Sequence, residues 1–314
     1  MKYIIKKIAS LVITLLIISF VTFLAFAVIP GDAAVSKLGM DATPEQVEEL
    51  REEMGLNGSV MGRYFKWLGK ALKGDFGKSY RYDMPVTELI SERLGATVGL
   101  ACVSLVLILV FSVPLSLLSA AKPNGAVDNV LTILTQIGMA IPQFFLGIVL
   151  TLVFGILLSW FKTGSYVSPS VDFGGFLSFM ILPAISVAIP KMSMMVKYLR
   201  DCIVSEKKND YVRTAKAKGN GEAAILFKHV LKNAVISAIT FFAMITAEVL
   251  AGSIVVEQVF GIPGLGRLLV NSINNRDFPV VNVIVLYMAA LVVIMNTLAD
   301  ISYRIVDPRV SRAD

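Results

Sequence analysis

The sequence has few of the residues that build metal centres or disulfide frameworks. It contains two cysteines and one histidine among 314 residues. Cys102 lies inside an apolar run and Cys202 at the edge of another, so they imply no disulfide framework. His229 has no sequence neighbour with which it could complete a metal site. We therefore predict no bound metal.

Catalytic motifs are missing as well. Gly77-Lys78-Ser79 resembles the end of a phosphate-binding loop, but the glycine required five positions earlier is Leu72, and no strand precedes it. The chain has no Gly-x-Ser-x-Gly, His-Glu-x-x-His or paired Cys-x-x-Cys motif. We predict that the chain is not an enzyme and holds no cofactor, and that any ATPase coupled to it is another polypeptide.

Charge is scarce and apolar runs are long. Charged residues make up 17% of the chain and hydrophobic residues 56%, and the mean hydropathy is +0.74, which excludes the ordinary soluble globular class. Nearly uncharged runs of about 18 residues or more predict membrane-spanning helices. Six are present: Ala9–Ile29, Gly95–Ala121, Asn129–Phe161, Phe179–Leu199, Val235–Val256 and Val280–Tyr303. The predicted fold class is an all-α polytopic membrane protein.

Two of these runs allow more than one interpretation. Asn129–Phe161 exceeds the roughly 20 residues that cross a bilayer. Pro142 favours a kink in a single span, and two helices separated by a turn near Pro142-Gln143 are the alternative. The first run follows three lysines, and Ala25-Phe26-Ala27 resembles a signal-peptidase site. Its length is greater than a signal core of about 7–15 residues, which favours a retained helix over a cleaved signal.

Basic residues predict the orientation. Lys2, Lys6 and Lys7 precede the first run, and Arg304, Arg309 and Arg312 follow the last one. Because positive charge stays on the cytosolic side, both termini are predicted to be cytosolic. Six crossings then place residues 30–94 outside and residues 200–234 inside. The net charge of +6 reflects this topology and requires no nucleic-acid partner.

The predicted domains are the first helix (1–29), an external helical region (30–94) and a core of five spans (95–314). In the external region, Thr43 and Pro44 are typical of a helix start, and this helix should end at Gly55. A second amphipathic helix is predicted over Val60–Leu72. The region is too short for an independent enzyme domain.

The polar, basic segment at residues 200–234 is longer than a turn between spans requires. A helix over Ser205–Lys218, a break at Gly219-Asn220-Gly221 and a helix over Glu222–Asn233 are predicted. The second helix carries an apolar face formed by Ile225, Leu226, Val230 and Leu231. This pattern favours a docking surface for a soluble partner, and a loop attracted to anionic lipid is the alternative.

At these residues the chain resembles the inner-membrane permeases of the dipeptide, oligopeptide and nickel ABC importers. The 200–234 segment is similar to their coupling loop, with Arg213-Thr214-Ala215 at the signature triplet, whose first glutamate is replaced, and Gly219 at the signature glycine. Further similar stretches occur in the same order along nearly the whole chain: Gly74–Ser79, Pro85-Val86, Arg93–Thr97, Ile181–Ala184, Glu257–Arg267, Arg276–Val281 and Asp307–Arg309.

The resemblance implies a permease of the type I ABC importer fold in a prokaryotic plasma membrane, forming half of a pathway for dipeptides or oligopeptides. Nickel or a nickel chelate is the alternative ligand. The implied partners are a second related permease, two ATP-binding subunits and an external substrate-binding protein, within membrane lipid. The residues implied in ATPase coupling are Asp210, Tyr211, Arg213, Thr214, Ala215, Lys218, Gly219, Lys228, His229 and Asn233.

Two places are candidates for the pathway. Glu248 lies in the middle of the fifth run, where an acid costs about 2.5–3.5 kcal/mol on insertion scales, and should face protein or water. It is interpreted as a pathway residue or as a protonated or hydroxyl-bonded structural acid. Glycine and proline over Phe260–Arg267 and Asn274–Pro279 should interrupt the helix. This irregular backbone is interpreted as part of the outer gate, as the seat of the binding protein or as a structural connector, with Phe260, Pro263, Gly264 and Gly266 as the candidate residues.

Other classes of protein remain as alternatives. A self-sufficient secondary transporter is disfavoured because the runs contain few ionisable residues and show no inverted repeat. A membrane enzyme is disfavoured because the catalytic motifs are missing.

Overall fold

The computed structural model describes residues 2–28, 31–39, 41–161 and 166–306. Arg309 and Arg312, part of the predicted basic C-terminal flank, and the Asp307–Arg309 motif lie outside these residues. The secondary structure of the described residues is helical, apart from one isolated bridge between Lys78 and Pro85. The predicted all-α class is confirmed.

Internal contacts divide the chain into two compact units, which are described separately. The first unit comprises Met1–Thr97 and Ile262–Val293, and the second comprises Val98–Gly261 and Ile294–Asp314. Two long helices, α5 (Val86–Ala121) and α14 (Phe278–Val306), contribute residues to both units.

The first unit contains α1, three short helices and α13. Their bounds are α1 Lys2–Val28, α2 Ala33–Leu38, α3 Pro44–Glu53, α4 Val60–Ala71 and α13 Leu265–Asn274. The second unit contains α6 Ala126–Ala140, α7 Gln143–Leu150 with a π-helical continuation over Thr151–Leu157, α8 Phe173–Glu206, α9 Asp210–Ala217, α10 Glu222–Ile225, a π-helical turn over Leu226–Val230, α11 Leu231–Gly252 and α12 Ile254–Phe260.

The two predicted helices of the 30–94 region are confirmed. At the start of α3 the Thr43 hydroxyl accepts the Gln46 N–H, the Gln46 side chain accepts the Thr43 N–H, and Pro44 occupies the first turn. This reciprocal cap satisfies two N–H groups that a helix start otherwise leaves open. The Ser59 hydroxyl accepts the Gly62 N–H and starts α4 in the same manner. The additional helix α2 was not predicted.

Five helices in the described part of the chain are long and apolar enough to cross a membrane, or up to seven if each of two bent helix pairs is one span. The five are Lys7–Val28, Val86–Ala121, Phe173–Glu206, Glu222–Gly252 and Phe278–Ala299. They correspond to five of the six predicted runs. The remaining run, Asn129–Phe161, corresponds to the bent pair of α6 and α7, so the predicted number lies within the observed range.

Pro142 breaks its helix. α6 ends at Ala140, Ile141 is extended, and α7 with its π-helical continuation lies at 97° to α6. Proline removes one backbone donor and forces the preceding residue out of the helical region, which together end the helix. A bend of this size is a break in the helix, whereas the sequence favoured a kink within a single span.

The helices around the 200–234 segment are longer than expected. α8 continues to Glu206, and the helix that begins at Glu222 runs to Gly252. The predicted helix over Ser205–Lys218 is therefore wrong in its bounds, because its first residues belong to α8 and only Asp210–Ala217 forms a separate helix. α8 ends here without a glycine: Lys207 closes its last turn, and Asn209, whose backbone is extended, precedes α9.

Candidate coupling surface and pathway residues

The short helix α9 is held against the end of α8. The Tyr211 hydroxyl donates to Glu206 Oε2 at 2.7 Å, and burial together with this acceptor raises the pKa of Tyr211. Ala215 is buried, and its carbonyl accepts from the side chain of Asn220 at 3.0 Å. These contacts join the first turn of α9 to the end of α8, and its last turn to the loop at Asn220.

Gly219 has the left-handed backbone that the sequence predicted, with φ of +82°. No atom lies within 4 Å of the position that a Cβ would take, so the surroundings leave room for a side chain. The requirement for glycine is therefore conformational, since L-residues other than asparagine and aspartate rarely adopt this region.

Most of the predicted coupling residues are exposed. Arg213 and Asp210 form a surface pair with an N–O distance of 3.6 Å and side chains that are 82% and 95% exposed. The other predicted coupling residues that are exposed are Thr214, Lys218, Gly219, Lys228 and His229, whereas Asn233 is half-buried, like Tyr211. The structure therefore presents a polar, mainly basic surface around α9.

The predicted apolar face of the second helix is not available to a partner. Ile225, Leu226 and Val230 are buried within the chain itself. Phe227 is the large apolar side chain that remains exposed there, at 57%, next to Lys228. Sequence periodicity identified an apolar face correctly, but that face packs inward.

Lys207 connects this surface to α5. Its Nζ donates to the carbonyl oxygens of Ala120 at 2.5 Å and Ala121 at 3.0 Å, which lie at the C-terminal end of α5. A cation there satisfies carbonyl groups that a helix end leaves open and complements the helix dipole. Burial lowers the pKa of Lys207. This contact was not predicted from the sequence.

A buried ion pair behind the surface was not predicted. Arg200 of α8 donates through Nε and Nη2 to the two carboxylate oxygens of Asp128, at 3.0 and 2.6 Å. Asp128 is 2% exposed and also accepts from the Ser119 hydroxyl and the Asn124 N–H. The pair joins the ends of α5, α6 and α8. An acid in the first turn of an otherwise apolar helix was the signal that could have found it.

Glu248 lies in α11 and forms an ion pair with Lys191 of α8. The Glu248 side chain is 50% exposed and that of Lys191 is 23% exposed. The rings of Tyr198 and Phe241 stack on the same two helices, with centroids 4.2 Å apart, and so establish an antiparallel register. The sequence indicates a pathway residue or a protonated or hydroxyl-bonded structural acid, but not this pairing, because Lys191 is 57 positions away.

The predicted gate residues belong to two different units. Phe260 ends α12 in the second unit, and its ring lies 2.8 Å from the position that a Cβ on Gly147 would take. In the first unit, Pro263 and Gly264 precede α13, whose first N–H, that of Leu265, donates to the Thr97 hydroxyl at 2.8 Å. The predicted helix interruption is confirmed over residues 261–264, whereas Gly266 lies inside α13.

The Gly-Lys-Ser sequence has a structural partner in the first unit. Ser79 Oγ donates to Asp277 Oδ2 at 2.5 Å, and the N–H groups of Tyr80 and Arg81 donate to the same carboxylate. Burial raises the pKa of Asp277 although these donors oppose the shift, and burial beside Asp277 raises the pKa of Tyr80 to about 12. Two of the sequence stretches singled out above, 74–79 and 276–281, therefore meet at one buried carboxylate.

Comparison with known proteins agrees with this architecture. Residues 112–312 match the family described as "Binding-protein-dependent transport system inner membrane component". Residues 1–101 match the corresponding N-terminal family, described as "Binding-prot-dependent transport system membrane comp, N-term". Together these matches include both compact units.

Several curated proteins are similar over almost their entire length. The "Oligopeptide transport system permease protein AppB" of Bacillus subtilis is 39% identical over 311 residues, with 98% of each chain covered. The "Probable peptide ABC transporter permease protein y4tP" of Sinorhizobium fredii is 32% identical over 308 residues, again with 98% of each chain covered. The chain therefore belongs to the family of inner membrane components of binding-protein-dependent transport systems.

Proposed function

We propose that this permease forms half of the translocation pathway of an ATP-driven importer for oligopeptides or dipeptides. The observation that carries the proposal is its 39% identity, over 98% of both chains, to a protein named as an oligopeptide transport permease. In this proposal a second, related permease completes the pathway, and an external binding protein delivers the peptide. Nickel has no comparable support, since the relatives named above are described as peptide or oligopeptide permeases.

We place ATPase coupling at the exposed surface of residues 210–233. ATP hydrolysis belongs to two partner subunits, and α9 with Lys218, Lys228 and His229 contacts them. The anchoring of α9 by Tyr211, and of the neighbouring turn by Lys207, supports a lever role, because a displacement of α9 is transmitted to α5 and α8.

The membrane orientation follows from this assignment. If α9 contacts ATPases, residues 200–234 are cytosolic, and so are the basic N-terminus and the C-terminus. Cysteines placed at Gly58 and Lys216, in a chain whose Cys102 and Cys202 are replaced by serine, test the topology. An impermeant maleimide added to intact cells should label position 58 and not position 216. Labelling of position 216 alone would reverse the orientation.

We place Glu248 on the translocation pathway and Phe260, Pro263, Gly264 and Gly266 at its gate. Half of the Glu248 side chain remains exposed beyond its ion pair with Lys191, as is also the case for Met244 one turn earlier. A charged side chain within a membrane helix should face protein or water, and an ion pair with a free side meets that requirement.

Substitutions at Gly219 test the coupling assignment. Gly219→Leu and Gly219→Pro should abolish peptide uptake by proteoliposomes containing all partners, because a left-handed backbone costs an L-residue about 1–2 kcal/mol and proline cannot adopt a positive φ. Gly219→Asn is the matched control, since asparagine tolerates this conformation, and should retain uptake. Reversal of charge in Arg213→Glu should reduce co-purification of the ATPase subunits while membrane insertion remains normal.

Normal uptake by Gly219→Pro and Arg213→Glu would show that the segment is only a connector.

The ligand is tested separately, by titrating the binding protein with dipeptides, longer peptides and nickel chelates. Uptake of nickel chelates without uptake of peptides would overturn the peptide assignment and leave the family unchanged. The purified chain without partners should hydrolyse no ATP above a contaminant control.

A further inference from the structure

Helix α4 contacts α1 well inside the apolar span. The Tyr64 hydroxyl lies 2.9 Å from Ser19 Oγ, and the Tyr64 ring packs edge-on against Phe20 and Phe23 with centroid distances of 5.2 and 5.5 Å. The span of α1 ends at Val28. At about 1.5 Å per residue, Ser19 is roughly 13 Å from that end. This depth is less than half the thickness of a hydrocarbon core of about 30 Å, so Ser19 lies at the level of the acyl chains. α4 therefore lies at the membrane surface or below it.

The exposed side chains of α4 divide into two opposite faces. Met61, Phe65 and, one residue past the helix end, Leu72 are exposed large apolar side chains on one face, and Phe65 is 63% exposed. At 100° per residue, Arg63, Lys66 and Lys70 lie on the opposite face. Tyr64 and Trp67 lie between the two faces, against α1. A helix with basic residues opposite an apolar face is typical of the membrane interface.

The basic face lines a cavity of about 570 Å³ within the first unit. Aromatic rings of α1, α4 and α14 form much of its wall: Phe23, Phe26, Trp67 and Phe278. Two acids in its wall already have partners, since Asp83 pairs with Lys37 at 2.6 Å and Asp75 accepts the Gly77 N–H at 2.9 Å. Glu52 and Glu53 of α3 also line it, so the wall contains carboxylates of α3 as well as the cations of α4.

Three buried polar atoms of this wall have no hydrogen-bond partner in the described structure. They are the donors Arg63 Nε and Trp67 Nε1 and the acceptor Asn282 Oδ1. Asn282 is 3% exposed. A buried polar atom without a partner costs about 1–3 kcal/mol. A turn of these side chains toward the cavity is therefore favoured when a ligand there supplies both an acceptor and a donor.

We propose that α4 lies in the membrane interface and that this cavity binds the headgroup of an anionic phospholipid. The phosphate accepts from Arg63 and Trp67 and interacts with Lys66 and Lys70. A headgroup hydroxyl donates to Asn282, and an acyl chain follows the aromatic wall. Met61 and Phe65 face the acyl region. The proposal adds a lipid ligand to the protein.

The depth of α4 is tested by a spin label on Phe65→Cys, in the assembled transporter with Cys102 and Cys202 replaced by serine. The label should be accessible to molecular oxygen and shielded from a water-soluble nickel complex. The same label on Lys73→Cys, an exposed position beyond α4, should show the reverse. Shielding of position 65 from both reagents would show that a protein covers α4, and access to the nickel complex would show water; either result overturns the proposal.

The headgroup site is tested by fluorescence quenching, because Trp67 and Trp160 are the two tryptophans of the chain. In a Trp160→Phe chain reconstituted in vesicles, brominated phosphatidylglycerol should quench Trp67 several-fold more effectively than brominated phosphatidylcholine. Lys70→Gln should reduce this preference by up to about fivefold, as expected for one charge at an anionic surface. Lys73→Gln, the matched control, should leave it unchanged.

Equal quenching by the two lipids, or equal effects of Lys70→Gln and Lys73→Gln, would overturn the assignment of the headgroup site. Inorganic phosphate at millimolar concentration should not relieve the quenching. Relief by phosphate would show that a free anion competes for the cavity at least as well as the lipid, and would overturn the assignment of a phospholipid as its ligand.

Discussion

Each unit of this chain contains a buried aspartate that joins distant segments, and the two are neutralised differently. Asp128 in the second unit accepts from Nε and Nη2 of the Arg200 guanidinium. Asp277 in the first unit receives a hydroxyl and two backbone N–H groups from residues 79–81, and a further backbone N–H from Val280. The Asp128 carboxylate is therefore compensated by a full positive charge, whereas Asp277 is compensated by the dipoles of its hydrogen-bond donors.

The difference follows from what each aspartate holds together. Asp128 links long helices that approach one another through side chains, and only a long side chain such as that of Arg200 reaches it. Asp277 faces a tight loop whose backbone N–H groups converge on one point. Dipoles compensate a buried charge less completely, which agrees with the raised pKa of Asp277.

The largest expected effect comes from removing the counter-charge. Arg200→Met leaves Asp128 buried without a cation and should destabilise the protein by about 3–5 kcal/mol, because an unpaired buried charge loses its compensation. Thermal unfolding in detergent, followed by size-exclusion chromatography, measures the loss. The double variant with Asp128→Asn should recover most of it. A double variant as unstable as Arg200→Met would show that the pair is not the cause.

A smaller effect is expected in the first unit. Ser79→Ala removes the donor to Asp277 and the acceptor of the Tyr82 N–H, and should cost about 1.5–3 kcal/mol, as hydrogen bonds to charged groups do. The same unfolding assay applies. Ser79→Thr keeps the hydroxyl and should retain more stability than the alanine variant. Equal losses would assign the effect to packing.

The pH dependence of stability should distinguish Asp277 from an ion-paired carboxylate. Its folded-state pKa lies above the ordinary 3.8, so its contribution to stability is fully present below that value and is lost as pH rises through the folded pKa. The wild type should therefore gain stability relative to Asp277→Asn as pH falls toward 3.8. Unfolding midpoints of the two proteins over this range measure the gain. A loss on acidification would contradict the raised pKa.

The smallest expected effect is at the exposed partner of the same arginine. Asp201 contacts Arg200 at 2.9 Å, but its side chain is 57% exposed. Exposed ion pairs contribute little because water screens them, so Asp201→Asn should change stability by less than about 0.5 kcal/mol. A loss of stability comparable to that of Arg200→Met would mean that Arg200 acts mainly through Asp201. The contrast between an ion-paired Asp128 and an Asp277 held by hydrogen bonds would then fail.

The sequence predicted much of the architecture because the signals involved are local. Hydropathy located the runs that cross the membrane, the Thr43-Pro44 start predicted α3, and Gly219 predicted the left-handed break. The sequence predicted the ends of α8 and the start of α11 less accurately, because polar residues continue a helix when neighbouring helices support it. At Pro142 the proline was visible, but the 97° bend depends on the packing of α6 and α7.

The sequence by itself determined that this is a membrane permease with a basic, glycine-containing loop, since composition, hydropathy and ordered motifs need no tertiary contacts. Only the tertiary structure paired Arg200 with Asp128, Lys191 with Glu248 and Ser79 with Asp277, the last pair across 198 positions. It also turned Ile225, Leu226 and Val230 inward. The physical reason is that periodicity shows that a face is apolar, whereas the register between packed helices decides what that face meets.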